Sequence, residues 1–285
     1  MRLGVHISIA GSIDKAVDRA LEKGCTAFQI FTRNPRGWMY KELSKKEVDD
    51  FTKKIVGSDI IPVVHMPYLP NLASSKKDLY DKSVESLKTE LDRCGRLNIP
   101  FLVTHLGSHL GEGMNIGFEK IIKACRESLH AVDNSVMLLL ENTSGTKNSM
   151  GTRFEDIRFI LEQLGNKGRI GVCFDTCHAF AAGYSLIDKK TVNSTLEKFE
   201  KIIGFERLKM VHLNDSKGEL NSHLDRHEHI GMGYIGVKGF SELVKHPSIQ
   251  ELPWILETPL DSRRDNLGNI NVIKKLAIDS TFASQ

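Results

Sequence analysis

Eight apolar runs of strand length, each followed by a longer amphipathic stretch, predict an α/β fold and within it one closed (β/α)8 barrel. Two further observations support this. The runs are almost continuously apolar, as parallel strands covered on both faces must be. No linker, low-complexity tract or short repeat divides the 285 residues, a length that suits a barrel of about 250 residues with modest additions. One catalytic domain spanning residues 1–285 is therefore expected. An open doubly wound sheet fits less well, because strict alternation through eight strands leads to closure.

The expected strands are Arg2–Ser8, Ala27–Thr32, Ile60–His65, Phe101–His105, Val136–Glu141, Ile170–Asp175, Leu208–Leu213 and Pro253–Glu257. The expected helices are Ser12–Lys23, Ser44–Val56, Lys77–Leu97, Gly117–Val132, Arg153–Leu164, Val192–Ile203 and Val237–His246. In the first of these, Ile13, Ala16, Val17, Ala20 and Leu21 form the stripe of a helix lying on a sheet, with Ser12 as N-cap and Gly24 as its stop. No strand is followed by a dinucleotide or P-loop glycine fingerprint. The glycines of Gly231-Met-Gly-Tyr-Ile-Gly236 are expected to serve tight turns.

Composition narrows the function classes. With 40% hydrophobic and 26% charged residues, the chain is expected to be soluble and globular. A net charge of +3 does not by itself mark a nucleic-acid binder, so any such partner would have to meet a local patch. Five scattered cysteines, at 25, 94, 125, 173 and 177, argue for a reducing compartment. No signal peptide or membrane span is evident, and a cytoplasmic location is expected.

The chemistry lies in the residues that close the strands. Strands three to eight end in His65, His105, Glu141, Asp175, His212 and Glu257, each able to bind a metal ion. Active sites of such barrels sit at the C-terminal mouth, where these ends converge. Alternation supports inward pointing: Val63 precedes His65 by two positions, Val103 His105, Leu139 Glu141, Met210 His212, and Ile255 Glu257. A single strand-end histidine is usually a satisfied core residue, but six ligand-type ends in succession are not explained that way. The stretch Met210–His229 adds Asp225 and His227, which extended backbone turns to one side, and His178 follows Asp175 by three. Nine candidate ligands result, five imidazoles and four carboxylates. Four carboxylates in one concavity repel one another unless metal is present. Nitrogen and oxygen donors suit zinc, with manganese second. Nine are too many for one ion and enough for three if a carboxylate bridges. Three divalent ions against four carboxylates leave about +2, a pocket for an anion such as a phosphodiester.

At this point the motifs resemble those of the endonuclease IV family of metal-dependent apurinic/apyrimidinic endonucleases. They are His65-Met-Pro-Tyr68, His105-Leu-Gly-Ser-His109, Glu141-Asn-Thr143, Asp175-Thr-Cys-His-Ala-Phe-Ala-Ala-Gly183, His212-Leu-Asn-Asp215, Asp225-Arg-His227 and Glu257-Thr258. They stand in the family's order and cover essentially the whole chain; the Asp175 and His212 stretches are the most specific. The resemblance implies a TIM barrel with three zinc ions. One would be held by His65, His105 and Glu141, a second by Glu141, Asp175, His212 and Glu257, and a third by His178, Asp225 and His227. It implies cleavage 5′ to abasic sites in double-stranded DNA, leaving a 3′-hydroxyl and a 5′-deoxyribose phosphate, and removal of blocking groups from damaged 3′ ends. Glu141 and Glu257 would hold and orient the attacking water, Glu257 also as proton acceptor.

Two loops bear on DNA. Arg36 and Tyr68 fall on neighbouring rims of the mouth, and the resemblance implies that both enter the duplex at the damaged step. Trp38 is otherwise ordinary loop packing, and Lys147, Arg153, Arg263 and Arg264 are weaker phosphate contacts or plain surface charge. The chain departs from the family's usual pattern at Leu106 and Gly37; the latter puts in question how the gap left by a flipped-out sugar is filled. His6 and His109 are either supports of the site or structural, and His130, His223, His229 and His246 are expected at the surface. Cys173 and Cys177 read as buried small residues. The alternative reading is a metal-dependent sugar isomerase or epimerase of the same barrel type, which has no use for Asp225-Arg-His227 or for an arginine–tyrosine rim. A protein that binds damaged DNA without cutting it would not need nine ligands. A monomer is expected, with no membrane partner.

Overall fold

The fold is described from a computed structural model, which covers residues 1–165 and 168–279. Eight parallel strands form the barrel: β1 (Arg2–Val5), β2 (Ala27–Ile30), β3 (Ile61–His65), β4 (Phe101–Thr104), β5 (Met137–Glu141), β6 (Ile170–Asp175), β7 (Leu208–His212) and, after a short hairpin, β10 (Pro253–Leu256). The hairpin pairs β8 (Asp215–Ser216) antiparallel with β9 (His227–Glu228), inside the stretch that the sequence presents as a polar loop. The order around the sheet is β1-β10-β7-β6-β5-β4-β3-β2. Closure between β1 and β2 comes from a parallel bridge of His6 with Gln29 and from backbone bonds Thr26 N to Leu3 O (2.8 Å) and Ile7 N to Gln29 O (2.7 Å). Gly4 makes that seam close-fitting: a Cβ there would lie 1.6 Å from the carbonyl oxygen of Ala27.

The helices are α1 (Lys15–Glu22), α2 (Lys45–Val56), α3 (Lys77–Arg96), α4 (Met114–Ala131), α5 (Phe154–Leu164), α6 (Thr176–Ala181), α7 (Lys189–Ile202), α8 (Gly236–Leu243) and α9 (Asn266–Ile278). Helix α1 starts later than expected. Asp14 occupies its N-cap and Ser12 hydrogen-bonds the Asp14 carboxylate, so the serine acts one step removed from the helix end. Ile13, Ala16, Val17 and Ala20 are buried as the stripe requires, whereas Leu21 falls off it into solvent. Gly24 adopts positive φ (65°) just past the C-cap, as expected. Helix α6 was not expected because six residues carry no readable periodicity. Nor was α9, whose apolar residues include the exposed Leu267 and Ile278 and so form no clean stripe.

Inside the barrel, Ala27, Val63, Val103, Leu139, Cys173, Met210 and Ile255 form a closed apolar layer, and a larger cluster lies between sheet and helices. The inner layer holds the residues two positions before the ligand-type side chains, so the alternation read from sequence applies. It forms a dry floor under the mouth. All five cysteines are buried and free, and no helix among the described residues is long and apolar enough to cross a membrane.

Candidate metal centre

His65, Glu141, Asp175 and His212 are the last residues of β3, β5, β6 and β7. His105 and Glu257 stand one residue beyond β4 and β10, so two of the six expected strand ends are the first loop residues instead. His178 lies in the first turn of α6, where Asp175 caps the helix by accepting the backbone N–H of His178 at 2.7 Å. Asp225 precedes β9 and His227 opens it, so the hairpin brings both back over the mouth.

The nine side chains meet in three neighbouring groups, each with ligand atoms within 4.8 Å of one another: His65, His105 and Glu141; Glu141, Asp175, His212 and Glu257; and His178, Asp225 and His227. Glu141 belongs to two of them. Its Oε2 lies 3.1 Å from His65 Nε2 and 3.4 Å from His105 Nε2, and its Oε1 lies 2.8 Å from His212 Nδ1. His212 Nδ1 also faces Glu257 Oε2 at 3.4 Å, and His178 Nε2 faces Asp225 Oδ1 at 3.2 Å. Cys173 is near Glu141 and His212, but burial pushes its thiol up to about 12, so it remains protonated and apolar in behaviour.

The electrostatics are those of a compact charge cluster. Burial opposes the charge of Glu141, yet His105 and His212 hold it well below the usual carboxylate range. Glu257 is half-buried at the mouth; desolvation opposes its charge too, and His212 and His65 bring it down to about 2. Burial works against a charged His178, but Asp175 and Asp225 outweigh it and raise the imidazole to about 10. Without a cation, the carboxylates are thus balanced by protonated histidines.

Polar groups beneath the cluster fix these side chains. The Asn142 side chain bonds both backbone ends of Asp175, donating to its carbonyl (3.0 Å) and accepting its N–H (2.7 Å). Asn214 donates to Asp175 Oδ2 (2.7 Å) and accepts the N–H of Glu257 (2.7 Å). His65 Nδ1 is 2.7 Å from the Met66 carbonyl, and His178 Nδ1 is 2.9 Å from that of Asn142, which turns each Nε2 toward the cluster. Gln29, fully buried, contacts both Glu257 and His212. Sequence reading missed Gln29 and Asn142. The signal for Gln29 was a polar residue two positions after Ala27, in the inward register of β2. Asp215, next to the site, is structural: its carboxylate accepts the N–H groups of Ser216, Gly231, Gly233, Ile235 and Gly236. A Cβ on Gly233 would come within 2.5 Å of that carboxylate, which accounts for the glycine-rich run as a cradle for an aspartate.

The donor set fits divalent metal. His227 Nε2 is buried without a hydrogen-bond partner and points at Asp175 Oδ2 (3.7 Å) and Asp225 Oδ1 (3.9 Å), distances that suit donors around a common ion. Imidazole and carboxylate donors in groups of three and four match zinc-type ligation.

A cavity of about 390 Å³ opens over the cluster, lined by His65, His105, His178, Asp225, His227 and Glu257 together with Tyr68 and Phe31. A second, of about 530 Å³, adjoins it and shares Tyr68, Phe31 and Glu257; Arg36, His6 and Leu260 line its outer side. Arg36 and Tyr68 therefore share one rim, and both are exposed, Tyr68 by 64%. The two loops are tied by Tyr68 N to Pro35 O (3.1 Å). Arg33 holds the first loop from below: its guanidinium bonds Glu90 of α3 (2.6 Å) and the carbonyls of Gly37 and Trp38 in the loop itself. Lys147 and Arg153 are exposed. Arg263 is engaged by Glu228 and Asp261, and Arg264 donates to the Ile230 carbonyl, so both have structural partners. His109 caps its own loop, accepting from Gly111 N and Gly113 N. His229 is not at the surface: it is buried between Asp261 and Asn269, because the Asp215 cradle folds that turn inward. His246 is half-buried, and His130 and His223 are exposed as expected.

An eight-stranded barrel with metal-type ligands at its C-terminal mouth defines a class, and a family model described as "Xylose isomerase-like TIM barrel" matches residues 17–276. A protein named "Probable endonuclease 4" from Methanoculleus marisnigri is 52% identical over 277 residues, 96% of this chain and 98% of the relative. The chain belongs to that class, and within it to the endonuclease 4 family of nucleases. The solved structure of endonuclease IV from Thermus thermophilus superposes with a TM-score of 0.87 at 34% identity, covering 97% of this chain and 98% of that one. A D-tagatose 3-epimerase-like protein, with TM-score 0.70 at 20% identity over 97% of each chain, shares the fold alone.

Proposed function

We propose that the protein is a DNA-repair endonuclease. It hydrolyses the phosphodiester 5′ to abasic sites in duplex DNA, leaving a 3′-hydroxyl and a 5′-deoxyribose phosphate, and it removes blocking groups from 3′ ends. In this reading one catalytic domain covers residues 1–285 and acts as a monomer in the cytoplasm on abasic or 3′-damaged double-stranded DNA. Three zinc ions, with manganese as second choice, are held by the three ligand groups, two of which share Glu141. The observation that carries the proposal is the buried, unpartnered Nε2 of His227 beside Asp175 and Asp225. It gives the hairpin its own ligand group, for which a one- or two-metal sugar isomerase has no use.

Divalent ions bound here supply Lewis acidity toward phosphoryl oxygens and make water a nucleophile near neutral pH. The chain's own residues orient and confine the reaction. Glu257 keeps Oε1 on Gln29 and turns Oε2 toward the cluster, where it would hold an ion and orient the attacking water, its remaining lone pair accepting the water's proton. The dry floor under the mouth excludes bulk water from below. Arg36 and Tyr68 enter the duplex at the damaged step, where an abasic nucleotide has the least stacking to lose.

The test is incubation of zinc-loaded protein with a duplex carrying one abasic site. Incision on the 5′ side with a 3′-hydroxyl product is expected. No incision, together with fewer than two zinc ions per chain by elemental analysis, would return the reading to a sugar isomerase or epimerase.

A further inference from the structure

Gln29 sits where β1, β2, β7 and β10 meet under the mouth, and its carboxamide has three partners. Nε2 lies 2.6 Å from Glu257 Oε1 and 3.1 Å from His6 Nδ1, while Oε1 lies 2.8 Å from His212 Nε2. Chemistry allows one orientation of the amide. An ionised carboxylate only accepts hydrogen bonds, so the NH2 group must face Glu257. Its second hydrogen then points at His6 Nδ1, which must carry the lone pair. The carbonyl, an acceptor only, requires a proton on His212 Nε2. That leaves His212 Nδ1 as the nitrogen facing Glu141 Oε1 and Glu257 Oε2, at 2.8 and 3.4 Å.

We propose that Gln29 is a positioning residue of the metal centre, setting the His212 tautomer and the Glu257 carboxylate orientation for one ion, with His6 fixing the amide itself. One buried side chain thereby presents two ligands from two strands to the same point. Its carbonyl keeps the imidazole in the form that binds metal through Nδ1. Its NH2 occupies the outer lone pair of Glu257, so that Oε2 stays inward. His6 stops the amide from turning over, a change that would place a carbonyl oxygen against a carboxylate. Outer partners of this kind are worth about 10–100-fold in metal affinity.

The inference rests on the cluster being a metal centre, and its test needs no DNA. In the zinc-loaded wild-type chain, nitrogen-15 NMR of the labelled histidines should find His212 protonated on Nε2 and not on Nδ1. Gln29→Met keeps length and loses both polarities; Gln29→Glu keeps shape and sets a second carboxylate against Glu257. Each should lower zinc affinity at one position by about 10–100-fold in chelator competition while the other two positions are retained. Gln29→Met should also remove the tautomer preference, whereas Gln29→Glu, whose carboxylate still accepts from His212 Nε2, should keep it and disturb Glu257 alone. His6→Phe, which frees the amide to turn, should lower affinity at the same position by a smaller factor. A zinc-loaded wild-type His212 protonated on Nδ1 overturns the inference, even if the Gln29 variants do not fold. Gln29→Met with unchanged tautomer and affinity also overturns it. Intact abasic duplex alongside the expected zinc behaviour would count against the nuclease reading alone.

Discussion

His212 and Asp225 belong to one short stretch of sequence and to different ligand groups. His212 lies with Glu141, Asp175 and Glu257, whereas Asp225 lies with His178 and His227. His212→Ala and Asp225→Ala should therefore each lose about one zinc per chain by elemental analysis, and the double variant about two. Equal loss from single and double variants would mean one shared position. His6 offers a pH test beside the site. Burial lowers its imidazole to about 4; Glu257 across the cavity pulls upward, and His65 and His212 push downward. The unfolded chain, near 6.5, takes up a proton that the fold refuses. The stability it contributes is thus present above pH 6.5 and lost as pH falls toward 4. His6→Phe cannot titrate, so its urea-unfolding free energy should fall less steeply across that window, by up to about 1.4 kcal/mol per pH unit.

At the scale of elements, the buried pair Arg33–Glu90 links the rim loop after β2 to helix α3. Arg33 also reaches Ser86, and Arg93 donates to the hydroxyl and the carbonyl of Thr32 at 2.7 Å each. Glu90→Ala strands a buried guanidinium and should cost about 3–5 kcal/mol by urea denaturation. Because the same guanidinium holds the Gly37 and Trp38 carbonyls, the rim that carries Arg36 should loosen. Incision assays on an abasic duplex should then find KM raised more than kcat is lowered. The hairpin β8–β9, α6 and α9 were the elements that sequence reading did not foresee. Two-residue strands and a six-residue helix are too short for periodicity, and α9 shows solvent some of its apolar residues. The cradle around Asp215 was legible only as glycines, since nothing in a one-dimensional pattern says that five amides will turn onto one carboxylate.

For the whole molecule, the eight strands and their ligand-type ends were readable because one alternation governs both. The residue that fills the barrel predicts, two positions on, the residue that stands above it. What could not be read was partnership across the seam. Gln29 looks like an ordinary polar residue until β1 and β10 lie beside it, and His229 looks exposed until Asp261 and Asn269 close over it. Gly4 sits at the same seam. Gly4→Ala would press a Cβ against the Ala27 carbonyl, so the variant should lose the cooperative thermal transition or unfold far below the wild type, as followed by circular dichroism.

The pairing of β1 with β10 has a consequence for how the protein comes into being. The second strand to pair with β1 lies more than two hundred residues later in the chain, and Glu257 arrives with it. A growing polypeptide on the ribosome can therefore assemble the early strands, but it can neither shut the cylinder nor complete the four-residue ligand group until this last strand emerges. On the proposed reading, cutting power would wait for this strand to join the barrel, and a product truncated before Pro253 would lack both a closed cylinder and Glu257.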